Sequence, residues 1–321
     1  MKEAITYINH LAKVRIPFLF IVDFDHERPI ILRLDEVDSR EILFDVNGRK
    51  NFEIPPVITK TLKFQSFPVD KTRYQQAFEL SIENIRYGNS FLLNLTMPSL
   101  VKTNFSLQEI FFRSNAKYKL WLKNRFVVFS PEIFIRINDR KIRSFPMKGT
   151  MDASLFDAEN RLLNNEKELA EHYTIVDLIR NDLSMVAKNV KVERFRYIET
   201  IKTNHNELLQ MSSEISGDLP YNYYENLGDL LFSLLPAGSI SGAPKKKTIE
   251  IIKQAEQYER GFYTGVFGIF DGENVDSGVM IRFIEKTANG LFYKSGGGIT
   301  AKSICDEEYQ ELTDKIYVPI S

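Results

Sequence analysis

Short β-rich runs recur along most of this chain. IPFLFIVDF, PIILRLDE, EILFDVNG, SFLLNLTMPSL, KLWLKN, RFVVFSPEIFIRIND and KIRSFPMKG fill its first half, and VKVERFRYIET, LLQMSSEISGDL, TGVFGIFD and DSGVMIRFIEK follow in its second. Asn47-Gly48 after EILFDV and Asp271-Gly272 after TGVFGIF are turn pairs, so these runs are predicted strands joined in part by hairpins. At 74–87, 156–179, 223–235, 248–257 and 307–316 the chain instead carries helix-type patterning, predicting helices, the second of them long and ending in the charged turn RNDL. No repeat, low-complexity tract or long linker divides the 321 residues, so the pattern predicts one α+β domain with 1–73 as a short β-rich part packed on the rest.

The chain is 43% hydrophobic, enough to fill a sizeable core. With 42 basic and 43 acidic residues and a net charge of -1, nothing global points to nucleic acid or to an anionic membrane surface. Cys305 is the single cysteine, which rules out an internal disulfide framework or a thiolate metal cluster and fits a reducing cytosol. MKEAITYINHLAK lacks the apolar core of a signal peptide, and FLFIV and LLFSLL fall far short of the roughly 18 residues a membrane span needs. A soluble cytoplasmic protein is the expectation.

One residue sits oddly. In SFPMKGTMD, Lys148 follows a strand in a partly buried turn, where desolvation penalises an ammonium unless the amine snorkels to water or is meant to react. Glu168 with Glu171, and Glu308 with Glu311, stand three apart on predicted helices, so each pair can aim two carboxylates at one point, either into solvent or at a hard cation such as Mg2+. SGGGITA reads as a glycine loop before a helix, able to present backbone N–H groups to an anion or merely to turn. AGSISGAPKKKT fails the phosphate-loop spacing, and Lys245 to Lys247 lack the aromatic interleaving of a nucleic-acid patch. His10, His172 and His205 lack metal-site spacing, His26 falls in a polar turn, and Trp121 reads as core.

Taken in order, PMKGT (146–150), ELAEHYTIVDLIRNDL (168–183), PAGSISGAPK (236–245), YTGVFGIFDGENVDSGVMIR (263–282) and SGGGITAKSICDEEYQELTDK (295–315) resemble the chorismate-utilising enzymes. That family includes anthranilate, aminodeoxychorismate, isochorismate and salicylate synthases. The resemblance covers 74–321, the expected chorismate-binding catalytic region, and implies an α+β fold of two large stacked antiparallel sheets wrapped by helices. PMKGT is similar to the PIKGT of the aminodeoxychorismate synthase branch, where anthranilate synthases carry alanine for the lysine. The resemblance then implies that Lys148 adds to carbon 2 of chorismate and ammonia enters at carbon 4, giving 4-amino-4-deoxychorismate for 4-aminobenzoate and folate. A buried amine can do this if desolvation lowers its pKa enough to leave a neutral fraction, and the sequence leaves the protonation state of Lys148 open.

By the same resemblance Glu132, in SPE, is the acid that protonates the departing hydroxide. Mg2+ bridges Glu171 and Glu311 to the ring carboxylate, with Glu168 and Glu308 ligating or orienting. Arg282 and Tyr263 hold the pyruvyl carboxylate; Gly296, Gly297, Gly298 and Lys315 lie near the ring carboxylate, and Ser239 keeps the hydroxyl of a threonine found in relatives. Where many relatives read HLxS this chain reads QMSS, with Gln210 for histidine, which shifts acid–base work towards Glu132. Leu92 stands where isochorismate and salicylate synthases place a water-activating lysine, so water addition is not expected. The LLES-type tryptophan-regulatory motif is not seen, and a separate lyase is expected to remove pyruvate. Ammonia is expected from a separate glutamine amidotransferase subunit, because the chain has no nucleophilic-cysteine motif of its own. The nearest rivals are anthranilate synthase component I and a catalytically silent chorismate-binding subunit.

Overall fold

The structure is a computed structural model that describes residues 1–53, 57–202 and 207–320. Two nine-stranded sheets dominate it, and every strand pairing described within them is antiparallel. The first runs Met147–Asp152, Glu207–Asp218, Lys141–Ser144, Ile133–Asn138, Val275–Val279, Val266–Phe270, Phe18–Val22, Ile30–Arg33, with Lys188–Lys202 also paired to Glu207–Asp218. The second runs Gly242–Ala243, Leu92–Thr103, Gly290–Ile299, Phe283–Thr287, Phe126–Ser130, Tyr118–Leu122, Ile42–Val46, Arg49–Lys50, with Phe64–Phe67 on Leu92–Thr103.

Side-chain alternation shows how the layers stack. Along Phe18–Val22, Leu19 and Ile21 join Tyr118, Leu120, Phe126 and Phe283 of the second sheet in the core between the sheets. Phe18, Phe20 and Val22 point the other way, into a core shared with Leu11, Ile175 and Leu231 on the helices Lys2–Lys13, Glu166–Ser184 and Leu227–Ser233. On the outer side of the second sheet, Lys71–Arg86, Lys245–Glu256, Cys305–Asp314 and Leu107–Arg113 cover two further apolar clusters. The order is therefore helix, sheet, sheet, helix. Residues 1–73 supply strands to both sheets. Among the described residues no helix is long and apolar enough to cross a membrane.

Several elements differ from the sequence reading. Lys2–Lys13 is a helix whose Ile8, Leu11 and Ala12 are buried. The long helix expected at 156–179 is two, Ala158–Leu163 and Glu166–Ser184; Asn165 begins the second by accepting the Glu168 N–H on its side chain, and the helix continues through RNDL. DSGVMIRFIEK is two strands lying in different sheets. SGGG is not a loop but the end of Gly290–Ile299.

Candidate active site

The site forms at a seam where strands leave one sheet for the other. Phe126–Ser130 passes through Pro131-Glu132 into Ile133–Asn138, and Val275–Val279 passes through Met280 to Arg282 into Phe283–Thr287. The two crossings are tied together, since Val279 N donates to Glu132 O at 3.1 Å and Phe129 N to Arg282 O at 3.0 Å. Arg282 (φ 52) and, nearby, Thr264 (φ 61) occupy the left-handed region, which strains any side-chain-bearing residue and a β-branched one most. The surrounding packing holds that strain in place.

Beside the seam lies a cavity of about 230 Å³. Glu132, Lys148, Ser239, Tyr263, Arg282, Gly296, Gly297, Gly298, Glu311 and Lys315 line it, as does Gln210. Glu168, Glu171 and Glu308 stand close behind. Glu171 Oε2 is 2.9 Å from Lys148 Nζ; a Cβ on Gly149 would come within 3.0 Å of Glu168 Oε2, and one on Gly297 within 3.5 Å of Glu308 Oε2. Among the described residues no histidine lines the cavity, and His205 lies outside them.

Lys148 owes its position to a bulge. The register of Met147–Asp152 against Glu207–Asp218 shifts between Met147 and Thr150, with Gly149 at φ 80, and such a bulge re-aims the side chain beside it. The ammonium points at the second sheet, because a Cβ on Gly298 would be 2.8 Å from its Nζ. Burial by itself lowers the pKa, but Glu171, with Glu311 and Glu168, raises it further, so the ammonium is held above its ordinary value. The balance runs against a neutral amine made by desolvation alone.

Glu132 faces the opposite balance. Burial raises its pKa, and the Ser239 hydrogen bond with the charges of Lys148 and Lys315 offsets only part of that. Ser239 Oγ, on the 3-10 turn Gly238–Ile240, donates to Glu132 Oε1 at 2.5 Å. A carboxyl kept towards its protonated form can donate a proton.

The carboxylate set is made only of hard oxygen donors, which suits Mg2+. Among the described residues no three His, Cys, Asp or Glu groups converge on one point. Two of the carboxylates pair with lysines, Glu171 with Lys148 Nζ at 2.9 Å and Glu311 with Lys315 Nζ at 2.6 Å. Mg2+ commonly takes only one or two protein carboxylates and completes its shell with water and substrate, so the set fits.

The second sheet supplies the opposite wall. Past Lys294, Gly290–Ile299 pairs, among the described residues, with Leu92–Thr103 alone, so alternate amides of its glycine end face away from that ladder. Lys315 Nζ donates to Gly296 O at 2.9 Å, and Arg282 Nη1 to Lys315 O at 2.7 Å. Leu92, buried, places its Cδ1 3.2 Å from where a Cβ on Gly298 would be, so an apolar side chain stands beside the glycine end.

Sequence reasoning missed the group that holds these walls together. Arg260, 2% exposed, pairs with Glu256 at 2.6 Å and donates to Asn94 O, Ile240 O and Thr264 Oγ1. It thereby fixes three cavity-lining segments to one another. Lys294, also buried and lining the cavity, ties Arg260 O at 2.9 Å and Glu285 at 2.8 Å; burial pushes its pKa down. Nothing in the local sequence sets these cations apart from surface residues.

Residues 23–321 match the family model described as chorismate binding enzyme. A PabA-like protein of Haemophilus influenzae is 52% identical over 320 residues, covering 100% of this chain and 97% of its own. Aminodeoxychorismate synthase component 1 of Bacillus subtilis is 30% identical over 285 residues, 83% of this chain and 59% of that enzyme. In fold, the menaquinone-specific isochorismate synthase of Escherichia coli superposes with a TM-score of 0.73 at 17% identity, over 98% of this chain and 80% of that one. Two stacked antiparallel sheets, a polar cavity at their seam and a match across nearly the whole length lead to one conclusion: the chain belongs to the family of chorismate-binding enzymes.

Proposed function

We propose that this enzyme aminates chorismate at carbon 4 to give 4-amino-4-deoxychorismate, as aminodeoxychorismate synthase component I. The observation that carries the reading is Lys148, aimed into the cavity opposite the glycine strand, with the Glu132–Ser239 pair on the same cavity wall. Lys148, once deprotonated, adds to carbon 2 while the carbon 4 hydroxyl leaves as water with the proton of Glu132. Ammonia then adds at carbon 4 and the lysine departs from carbon 2, so that chorismate and ammonia give the product and one water. Arg282 and Tyr263 would take the pyruvyl carboxylate, and Lys315 with the amides of Gly296 to Gly298 the ring carboxylate. Glu171 and Glu311 would hold Mg2+, with Glu168 and Glu308 supporting them; when bound, the ion would neutralise the crowd of carboxylates around the substrate. An apolar Leu92 favours amination over water addition, because it can activate no water.

The product would feed 4-aminobenzoate and folate synthesis in the cytoplasm, with ammonia from a glutamine amidotransferase subunit. The test is product analysis by mass spectrometry and NMR after incubation with chorismate, Mg2+ and ammonium. We expect 4-amino-4-deoxychorismate from the native enzyme and at least a roughly 10²-fold loss in Lys148→Ala, the scale of a removed nucleophile or acid–base group. Anthranilate, isochorismate or unchanged chorismate from the native enzyme would refute the assignment.

A further inference from the structure

Asn94 lines the substrate cavity and stands opposite Gly298 in the ladder between Leu92–Thr103 and Gly290–Ile299. Side chains directly opposite one another on an antiparallel pair share a face, so Asn94 projects on the side where a Cβ on Gly298 would meet Lys148 Nζ at 2.8 Å. Its side-chain oxygen Oδ1 is buried, yet it finds no hydrogen-bond donor among the described residues. The cations lining the same cavity are engaged elsewhere, Lys148 with Glu171, Lys315 with Glu311 and Gly296 O, Arg282 with Lys315 O, and Lys294 with Glu285 and Arg260 O. The main chain of Asn94 is held on both sides, its N donating to Ser241 O at 3.0 Å and its O accepting from Arg260 Nη2 at 2.6 Å. Arg260 also donates to Ile240 O, so Asn94 is fixed against the 3-10 turn whose Ser239 holds Glu132.

A buried acceptor without a donor costs the fold stability, and a donor carried by the ligand accounts for its being kept. The chemistry of chorismate selects that donor. Its two carboxylates are ionised and its ether oxygen bears no hydrogen, so all of these only accept, and the carbon 4 hydroxyl is its one donor. Resting on the amination reading above, we propose that Asn94 Oδ1 accepts the hydrogen of the carbon 4 hydroxyl and thereby makes the cavity specific for a hydroxyl-bearing ring. The contact also orients the leaving group. With its hydrogen held by Asn94, the hydroxyl turns a lone pair to Glu132; as the bond from carbon 4 to oxygen breaks, the oxygen keeps that hydrogen, takes the Glu132 proton and leaves as water. A neutral amide does this without added charge, whereas a carboxylate in its place would repel the dianion.

The full-length enzyme tests this by calorimetric titration with Mg2+ and without ammonium, using chorismate and its analogue with hydrogen in place of the carbon 4 hydroxyl. The native enzyme is expected to bind chorismate about tenfold or more tightly than the analogue, because loss of the hydroxyl leaves Oδ1 unpaired again. In Asn94→Leu, which fills a similar volume without an acceptor, the two ligands are expected to bind within about twofold of each other. Asn94→Ala repeats the comparison with no overpacking. General distortion of the cavity weakens both ligands alike and leaves their ratio unchanged. Equal binding of the two ligands by the native enzyme, or a native-like ratio in both variants, overturns the contact whatever the products are. If the ratio collapses in the variants but product analysis finds no 4-amino-4-deoxychorismate, the hydroxyl contact stands as recognition of chorismate and the amination reading falls.

Discussion

His172 shows what a single residue adjoining the site costs the fold. It is fully buried, its Nε2 lies 2.6 Å from Ser213 Oγ, and burial, with the charges of Arg196 and Lys148, pushes its pKa from 6.5 down to about 4. Between those values the unfolded chain binds a proton that the folded chain refuses. Stability is therefore complete above about pH 6.5 and falls as pH drops towards 4, by up to ~3 kcal/mol at ~1.4 kcal/mol per unit. Urea midpoints measured from neutral pH downward should follow this slope, and His172→Gln should flatten it; an unchanged slope in the variant would assign the acid sensitivity elsewhere. At this scale the motifs of the sequence singled out Lys148 and Glu132, and both line the cavity. Arg260, Lys294 and His172 were not legible, because the burial that gives them their roles depends on segments far away in the chain.

At the scale of elements, the glycine strand was the hardest to read. Three successive glycines carry no β-propensity, and only the tight fit of Gly290–Ile299 against Leu92–Thr103 explains them. A Cβ on Gly296 would sit 2.1 Å from Leu95 O, whereas one on Gly297 would meet Glu311 Oε1 at 3.2 Å and Glu308 Oε2 at 3.5 Å. The two substitutions should therefore part company. Gly296→Ala should cost more than the ~1–3 kcal/mol of ordinary overpacking and lower the melting temperature sharply. Gly297→Ala should melt near the native temperature yet need several-fold more Mg2+ for half-maximal rate, and equal Mg2+ titrations would remove Glu308 and Glu311 from any metal role. Some elements could have been found earlier. Leu107–Arg113 begins with the capping box Ser106 to Glu109, a signal present in SLQE but passed over among the strand-like runs. The break at Asn165 between two helices was likewise open to reading, since asparagine is a favoured N-cap.

For the whole molecule, the mixture of strands and helices followed from the sequence pattern, while the stacking of two sheets came from resemblance. Strand order was out of reach, because partners such as Phe18 and Phe270 lie far apart in sequence and many pairings satisfy the same alternation. That pairing also makes the N-terminus indispensable. Phe18–Val22 lies ahead of the family match, yet all five of its residues are buried between Val266–Phe270 and Ile30–Arg33. Deleting residues 1–22 should abolish cooperative unfolding, and a truncated chain that still melts in one sharp transition would show that the strand is dispensable. The seam has its own consequence. Lys148 belongs to one slab and Gly296 to Gly298 belong to the other, so the two walls of the cavity are registered only as well as the slabs resist sliding over each other. A slip of about 1 Å can cost roughly 10² in rate and yet wet no interior surface. On warming, turnover should therefore fade several degrees before the buried Trp121 reports melting by its fluorescence, and a rate that survives to the melting midpoint would mean the two slabs move as one body.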